Sequence, residues 1–287
     1  MTRNDKLNVI LFALTGFGNT VLEALLEESR INIEAVFTIQ YDRPFPYYKE
    51  RQLIDLCVER GISCYYRMSV CSDEGIELLL KHQPDLIIVA TFKQLLKENV
   101  LCLPALGVVN FHPSLLPRYR GPCPTNAALL NDEKSTGVTI HYVTEKLDDG
   151  DILLQKSSDI SETDNDGRLR HKLAQLAAEM VPELVELFSG FNKPAGTPQD
   201  HSLACYAPKP IIEDGYLELA PDIETIRRKM RAFNPLPGTS ILLGNRRTLV
   251  DRCELIKGNH IDGCYESSDT IDVFLESQAI RLYMKAD

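Results

Sequence analysis

Apolar runs and amphipathic segments alternate through the first half of the chain. The runs LNVILFAL, IEAVFTI, ISCYY and DLIIVAT are each followed by a segment with apolar residues at helical spacing. Apolar runs without polar alternation are typical of parallel strands that are buried on both faces, with helices as the crossovers between them. The pattern therefore predicts an α/β fold, a Rossmann-like doubly wound domain with a mostly parallel sheet.

The pattern continues beyond the fourth strand. We expect a helix over KQLLKENV, a fifth strand at LGVVNF, a short helix from about Thr125 to Leu130, and a hairpin made of GVTIHYV and DILLQKSS. A long helix is predicted from about Gly167 to Phe188, because its apolar residues recur at helical spacing. Pro182 lies inside this helix and predicts a kink, since proline has no amide hydrogen to donate.

A change of composition separates a second unit. Between Ser189 and Asp214 the chain is rich in Gly, Pro, Asn and Asp, which is typical of a linker or a meandering connection. The amphipathic helix PDIETIRRKMRAF follows, and then the short strands TSILLG, RTLVDRCELI, GCYES, TIDVFLE and AIRLYM. Short strands divided by turns predict a small OB-like β-barrel. We therefore expect a catalytic domain over residues 1–205 and a small barrel domain over residues 206–287.

Composition narrows the class of protein. The 287 residues are 44% hydrophobic, enough for a sizeable core, and they contain no apolar run of about eighteen residues that could span a membrane. The charged start followed by a short apolar strand does not resemble a signal peptide. We expect a cytoplasmic protein with no membrane partner.

Charge and cysteine content bear on partners and cofactors. The eight cysteines form no C-x-x-C pair, so we expect reduced thiols with neither a metal site nor a disulfide framework. The net charge of -10 offers no long-range attraction to nucleic acid, although a local basic patch would be compatible with it.

The loop TGFGNT after the first strand resembles half of a dinucleotide-binding loop. The third glycine is missing and no acidic residue follows VFTI, so nicotinamide binding is disfavoured. Two interpretations stay open. The loop is either a plain tight turn or the contact for a phosphate-bearing or sugar substrate, held by Gly16, Phe17, Gly18 and Asn19.

Two polar residues close the fifth strand. Asn110 and His112 are two residues apart and would project from the same face of a strand. An asparagine here can also cap a turn, and a histidine beside a proline is often a loop residue. Asp148 and Asp149 precede Gly150 in a tight turn, where a carboxylate could face the histidine or act as a cap. Residue types alone do not decide between catalysis and these structural roles.

Two sequence segments, one following the other at a characteristic separation, resemble a known family. The pattern Asn-x-His-Pro-Ser-Leu-Leu-Pro-x-x-Arg-Gly, followed by TGVTIHYVTEKLDDGDIL, resembles the formyltransferases that use 10-formyltetrahydrofolate as donor. That family includes glycinamide ribonucleotide, methionyl-tRNA and nucleotide-sugar formyltransferases. ATFKQLL resembles the family's donor-binding strand and loop, and IRRKMRAFNPLPG resembles the start of the small C-terminal domain of the tRNA and sugar branches.

The resemblance implies a role for each matched residue. Asn110, His112 and Asp148 match the catalytic trio, in which the first two contact the formyl oxygen while Asp148 raises the pKa of His112 or orients a water. Thr139 and His141 match a Thr-x-His strand that lines the donor pocket. The segments that match the pterin-binding backbone comprise Lys93, Gln94, Leu95 and Leu96, and the turn of Thr144, Glu145, Lys146, Leu147 and Asp148. No metal is implied.

The acceptor amine is the more open question. In the tRNA branch the loop after the second strand is a basic insertion, whereas here it is TIQYDRPFPYYKERQ, with mixed charges and aromatic residues. Phe45, Tyr47 and Tyr48 could stack on a nucleobase or sugar, or could pack the next helix onto the sheet. The resemblance favours the amino group of a nucleotide-linked sugar and leaves methionyl-tRNA, another small amine, hydrolysis by water, or a non-catalytic binding protein as alternatives; the intact trio argues against the last. A homodimer is expected.

Overall fold

The chain divides into two compact units. The computed structural model describes residues 6–40, 51–218, 222–257, 263–275 and 278–285. The first unit takes in residues 1–121, 135–159 and 170–206, and the second takes in residues 122–134, 160–169 and 207–287. The boundary expected between residues 205 and 206 stays a prediction.

A seven-stranded sheet forms the centre of the first unit. Its order is β3-β2-β1-β4-β5-β6-β7, with the first five strands in chain order parallel and the last two antiparallel to their neighbours. The bounds of these strands are β1 Leu7–Ala13, β2 Ile31–Phe37, β3 Ser63–Tyr65, β4 Leu86–Ala90, β5 Val108–His112, β6 Ser135–Tyr142 and β7 Ile152–Asp159. The predicted doubly wound α/β class is confirmed.

Helices connect the strands, as the hydrophobic pattern predicts. Their bounds are α1 Phe17–Glu27, α2 Leu53–Arg60, α3 Asp73–His82, α4 Glu98–Leu101, α5 Pro124–Leu130, α6 Asp166–Glu179 and α7 Val181–Leu187. The central strands β1 and β4 are almost completely buried, and the Phe12 ring meets the Phe37 ring edge to face at 5.4 Å. The core therefore lies along the strands whose carboxyl ends would carry a ligand in a fold of this kind.

The structure differs from the predicted helices at two places. The helix expected over KQLLKENV is wrong for its first part, because α4 begins only at Glu98. Gln94 instead bonds through its side chain to the backbone of Met68 and Val70, which holds this segment as a loop. The long helix ends at Glu179, and a new helix begins at Val181, with Pro182 in its first turn, where a missing amide hydrogen costs little.

The segment expected to be a linker is ordered against the first unit up to Tyr206. Thr197 exchanges two backbone hydrogen bonds with Ile152, both of 2.8 Å, and the Arg120 amide donates to the carbonyl of Cys205 at 2.9 Å. Short 3-10 turns lie at Ser189–Phe191, His201–Leu203 and Ile212–Gly215. The interpretation as a meandering connection is therefore the correct one for residues 189–206.

The second unit contains a six-stranded sheet and the amphipathic helix α8, Ile223–Phe233. The order is β11-β12-β13-β10-β9-β8, with β8 Tyr216–Leu217, β9 Thr239–Leu243, β10 Arg246–Ile256, β11 Gly263–Glu266, β12 Thr270–Leu275 and β13 Gln278–Met284. Ile223, Ile226 and Met230 of α8 are buried in one cluster with the inner face of this sheet. Among the helices in the described ranges, none is long and apolar enough to cross a membrane.

Candidate active site

Strand register brings the polar residues of β5 and β6 together. Asn110 is directly opposite His141, and His112 is directly opposite Thr139, in the antiparallel pair of β5 and β6. Directly opposite residues project from the same face of a sheet, and alternate residues along each strand do so too. Four polar side chains therefore share one face at the end of β5.

His112 carries its proton on the nitrogen that faces away from Asp148. Its Nε2 lies 2.9 Å from the carbonyl oxygen of Tyr119, which can only accept, so Nε2–H is the donor. Nδ1 lies 3.6 Å from Oδ2 of Asp148. Burial lowers the pKa of His112 below its ordinary value, and this outweighs the opposing effect of the Asp148 charge. Asp148 does raise the pKa of His112, as expected, but the effect of burial is larger. The net pKa is therefore lowered, which favours the neutral imidazole.

His141 is held by both ring nitrogens. Its Nδ1–H donates to the carbonyl oxygen of Tyr142 at 2.8 Å, and its Nε2 accepts from Nδ2 of Asn110 at 3.2 Å. The same Nε2 lies 3.7 Å from Oδ1 of Asp148, and the residue is only 1% exposed. His141 therefore fixes the amide of Asn110 and is the second histidine beside the carboxylate.

Asp148 is an ionised carboxylate between the two histidines. Burial disfavours its charge, but His112, His141 and the N–H of Gly121 together outweigh burial and lower the pKa of Asp148 to about 2. Gly121 donates to Oδ2 at 2.8 Å. The backbone of Asp148 has φ 50°, in the left-handed region that non-glycine residues seldom adopt, so the surrounding contacts must hold this turn.

The loop of residues 113–121 is attached to the sheet through Thr139. The Thr139 hydroxyl donates to Ser114 O at 2.6 Å and accepts from Leu116 N at 3.1 Å and from Gln155 Nε2 at 2.8 Å. These three partners use the full bonding capacity of a hydroxyl. Thr139, which the resemblance assigns to the donor pocket, thus holds the loop that presents Tyr119 O and Gly121 N to the site.

Nothing in the sequence indicates that Gln199 supports the turn at Asp148. Gln199 Nε2 donates to Asp148 O at 3.0 Å and to Gly150 O at 2.7 Å, and Gln199 Oε1 accepts from Arg120. The segment around Gln199 has no hydrophobic periodicity, and a polar residue there looks like a solvated loop residue. Its burial, 6% exposed, is what distinguishes it.

The two segments matched to pterin binding have different environments. Gln94 is tied to the 68–70 loop and Leu96 is buried, while Lys93 and Leu95 are exposed. A cavity of about 830 Å³ is lined by Thr144, Glu145 and Lys146 together with residues 193–196, but not by Asn110, His112 or Asp148. The assignment of both segments to the donor, Leu147 included, stays a prediction.

The glycine loop after β1 is held by hydrogen bonds between its own residues. Gly16 N–H donates to Oδ1 of Asn19 at 2.9 Å, and Gly18 N–H donates to the carbonyl of Leu14 at 3.1 Å. A Cβ on Gly18 would lie 2.6 Å from Cβ of Ala13, so Gly18 permits close packing of α1 on β1. These contacts are those of a tight turn, and substrate contact by Gly16, Phe17, Gly18 and Asn19 stays a prediction. Phe45, Tyr47 and Tyr48 lie outside the described residues.

No metal-binding group accompanies these side chains in the part of the chain that the structure describes, where no cluster of three or more His, Cys, Asp or Glu is suitably arranged. What converges instead is an amide, an unprotonated ring nitrogen and an ionised carboxylate. These are the groups that acyl transfer to an amine requires: an oxyanion donor, a proton carrier and a charge that stabilises the carrier.

Comparison with known proteins identifies the family. The formyl transferase family model matches residues 9–185, more than half of the chain. The chain belongs to the formyl transferase family and is a formyltransferase. The family predicted from the sequence is confirmed.

Relatives and a solved structure extend the likeness to nearly the whole chain. The methionyl-tRNA formyltransferase of Syntrophus aciditrophicus is 39% identical over 85% of this chain and 78% of its own. That of Kosmotoga olearia is 40% identical over 77% of this chain and 72% of its own. The crystal structure of an N-formyltransferase from Helicobacter canadensis, with folinic acid and dTDP-3-aminofucose, superposes with a TM-score of 0.71 at 16% identity, covering 96% of this chain and 99% of that one.

Proposed function

We propose that this formyltransferase moves a formyl group from 10-formyltetrahydrofolate to the amino group of a nucleotide-linked amino sugar. The donor supplies an activated formyl group on a nitrogen that can leave. Folinic acid, a formylated tetrahydrofolate, in the Helicobacter canadensis structure supports a folate donor. The converging amide, ring nitrogen and carboxylate fit a formyl group. Asn110 would donate to its oxygen, His112 would accept the proton of the attacking amine, and Lys93–Leu96 and Thr144–Asp148 would hold the pterin.

The state of His112 carries the proposed mechanism. Because Nε2–H is bound to Tyr119 O, the Nδ1 lone pair is the acceptor for the proton that an attacking amine loses. Proton uptake makes the ring cationic, and the ionised Asp148, 3.6 Å from Nδ1, stabilises that cation. Asn110 donates an N–H to the oxygen that becomes negative during the attack. No covalent nucleophile is required.

Charge supports a small acceptor. Several basic side chains of the second unit lie in ion pairs: Arg227 with Glu162, Arg246 with Glu266, and Arg281 with Asp272. Binding to a polynucleotide rests on Lys and Arg that neutralise phosphates, which these pairs and a net charge of -10 oppose. The mixed charge of TIQYDRPFPYYKERQ agrees with the same conclusion.

Methionyl-tRNA is the second candidate acceptor. The two relatives at 39% and 40% identity carry the name methionyl-tRNA formyltransferase and match most of their own length. The sugar-binding neighbour is only 16% identical, so it supports the fold and not the acceptor. The two candidates therefore rest on different observations, charge for the sugar and sequence identity for the tRNA.

A screen of acceptors decides between them. The enzyme and 10-formyltetrahydrofolate are mixed with one acceptor at a time, either dTDP-, UDP- or GDP-linked amino sugars or methionyl initiator tRNA, and tetrahydrofolate release is followed by absorbance. Release with an amino sugar and not with the tRNA supports the proposal. Release with methionyl-tRNA alone overturns the sugar acceptor, and release of formate without a formylated amine overturns transfer. Asp148→Asn serves as the catalytic control.

A further inference from the structure

A closed ring of hydrogen bonds surrounds Asp148. Gly121 N–H donates to the carboxylate of Asp148, and the preceding residue, Arg120, donates from Nε and Nη2 to Oε1 of Gln199 at 3.1 and 2.6 Å. Gln199 Nε2 donates in turn to the backbone carbonyl of Asp148, and also to that of Gly150. The ring ties the carboxylate and the backbone of Asp148 to the same two loop residues.

The chemistry of this ring requires an amide at position 199. An amide side chain can accept from a guanidinium and donate to two carbonyl groups at the same time. A carboxylate would accept from Arg120 but could not donate, and a thioether would do neither in useful strength. Gln199 is buried, so loss of its N–H groups would leave two carbonyl groups without these donors.

We infer that Gln199 is a positioning residue for formyl transfer, acting with Arg120 to fix the carboxylate of Asp148 between His112 and His141. The inference rests on the proposed catalytic role of Asp148. Gln199 acts through the turn and not on the substrate.

The distances make the site sensitive to this turn. The carboxylate oxygens of Asp148 lie 3.6 Å from His112 Nδ1 and 3.7 Å from His141 Nε2. The turn also has φ 50° at Asp148, which relaxes toward common backbone values once its contacts are removed. A displacement of about 1 Å at a reacting group can lower a rate about a hundredfold.

Two substitutions at position 199 separate its contacts. Gln199→Met removes every hydrogen bond of this side chain, both to Arg120 and to the two carbonyl groups. Gln199→Glu keeps the acceptor for Arg120 but removes both N–H donors. We expect kcat to fall about tenfold to a hundredfold in both variants, with the KM of donor and acceptor within about threefold. Thermal unfolding should show a smaller loss of stability for Glu than for Met. Gln175→Met, at an exposed glutamine of α6, is the matched control and should keep the wild-type kcat.

The pH profile distinguishes positioning from general loosening. The groups that face Asp148 are His112 from β5 and His141 from β6, with Arg120 and its neighbour His201 behind Gln199. A displaced Asp148 carboxylate would stabilise the protonated imidazole of His112 less, which lowers the pKa of His112. The acid limb of the kcat profile, which His112 sets, should therefore move to lower pH in Gln199→Met. A residue that only stabilises the fold would leave this limb in place at saturating substrate.

Each outcome decides the inference. Wild-type kcat in both folded Gln199 variants, or an unmoved acid limb in a folded Gln199→Met enzyme, overturns it. If neither Gln199 variant folds, Arg120→Met opens the ring from its other side and should show the same shift, and an unmoved limb in that variant overturns the inference equally. A wild-type rate in Asp148→Asn would instead overturn the proposed catalytic role of Asp148, while the acceptor screen alone tests the proposed reaction.

Discussion

Asn110 donates a hydrogen bond to His141 at 3.2 Å, across two neighbouring antiparallel strands. The amide that would stabilise the oxyanion is therefore oriented by a second, buried histidine, whose other nitrogen is bound to the Tyr142 carbonyl. The site is an arrangement of two imidazoles, one amide and one carboxylate. Its chemistry depends on how these four groups fix one another.

Asn110→Ala removes the proposed oxyanion donor. Loss of one such donor costs about a hundred- to a thousandfold in rate, and we expect this loss in kcat with little change in the KM of either substrate. Steady-state kinetics with the acceptor found in the screen measure it, with Asn131→Ala at an exposed asparagine as the control. A kcat within tenfold of wild type would refute the assignment.

Asp148→Asn keeps the size of the side chain and removes its charge. Without the anion the protonated form of His112 is no longer stabilised, so we expect kcat to fall by about a hundredfold or more. The neighbouring Asp149→Asn is the matched control, since the Asp149 carboxylate accepts a hydrogen bond from the Thr144 hydroxyl, whereas the Asp148 carboxylate lies between the two histidines. Equal losses in the two variants would contradict the special role of Asp148.

Acidification should destabilise the protein through His112. Its pKa in the folded chain lies below the ordinary value of 6.5, so the unfolded chain binds a proton that the folded chain does not. The free energy of unfolding should then decrease as pH falls below about 6.5. Urea unfolding across this range measures the slope, which should become shallower in His112→Gln. An equal slope in His112→Gln would argue against the buried neutral ring.

Gly18→Ala should loosen the packing of α1 on β1. The new methyl group would lie 2.6 Å from Cβ of Ala13, closer than side chains tolerate, and overpacking of this kind costs about 1–3 kcal/mol. Ala13→Gly removes the opposing methyl group and should partly restore stability to the double variant. Denaturant unfolding of the four proteins gives the coupling energy, and simple additivity of the two changes would speak against the contact.

Thr139→Val keeps the shape of the side chain and removes the hydroxyl that holds the 113–121 loop. Loss of a buried hydroxyl with three partners should destabilise the fold by about 1–3 kcal/mol. It should also lower kcat, because the loop presents Tyr119 O and Gly121 N to the site. Unfolding and kinetics on the same preparation test both effects. A variant that loses stability but keeps full activity would separate Thr139 from the site.

Much of this architecture follows from local patterns. The two-residue period of a strand predicts that Asn110 and His112 share a face, and the hairpin that follows predicts an antiparallel neighbour, although not its register. The register that pairs Asn110 with His141 depends on the whole sheet. Family resemblance could point to Asp148, whereas residue spacing alone left its role open.

Other parts could not be predicted, because they depend on contacts distant in the chain. Gln199 lies 51 positions from Asp148 in a segment without hydrophobic periodicity, so nothing local indicates its burial. KQLLKENV has helical composition, but the bonds of Gln94 to residues 68 and 70 override that propensity. In both cases a side chain that pairs with distant backbone decides the local structure.

The hydrogen bond from His112 Nε2–H to Tyr119 O leaves Nδ1 as the nitrogen of the imidazole that can exchange a proton. In the proposed mechanism the proton of the amine must therefore arrive at Nδ1 and leave from Nδ1, because Nε2–H is already bound to the Tyr119 carbonyl. If His112 serves the proposed transfer, uptake of the proton from the amine and its delivery to the leaving nitrogen would both use this one nitrogen, one after the other. Between these two steps the proton would stay on His112, whose cationic form Asp148 stabilises at 3.6 Å, so the backbone contact that occupies Nε2 would set the order of the two transfers.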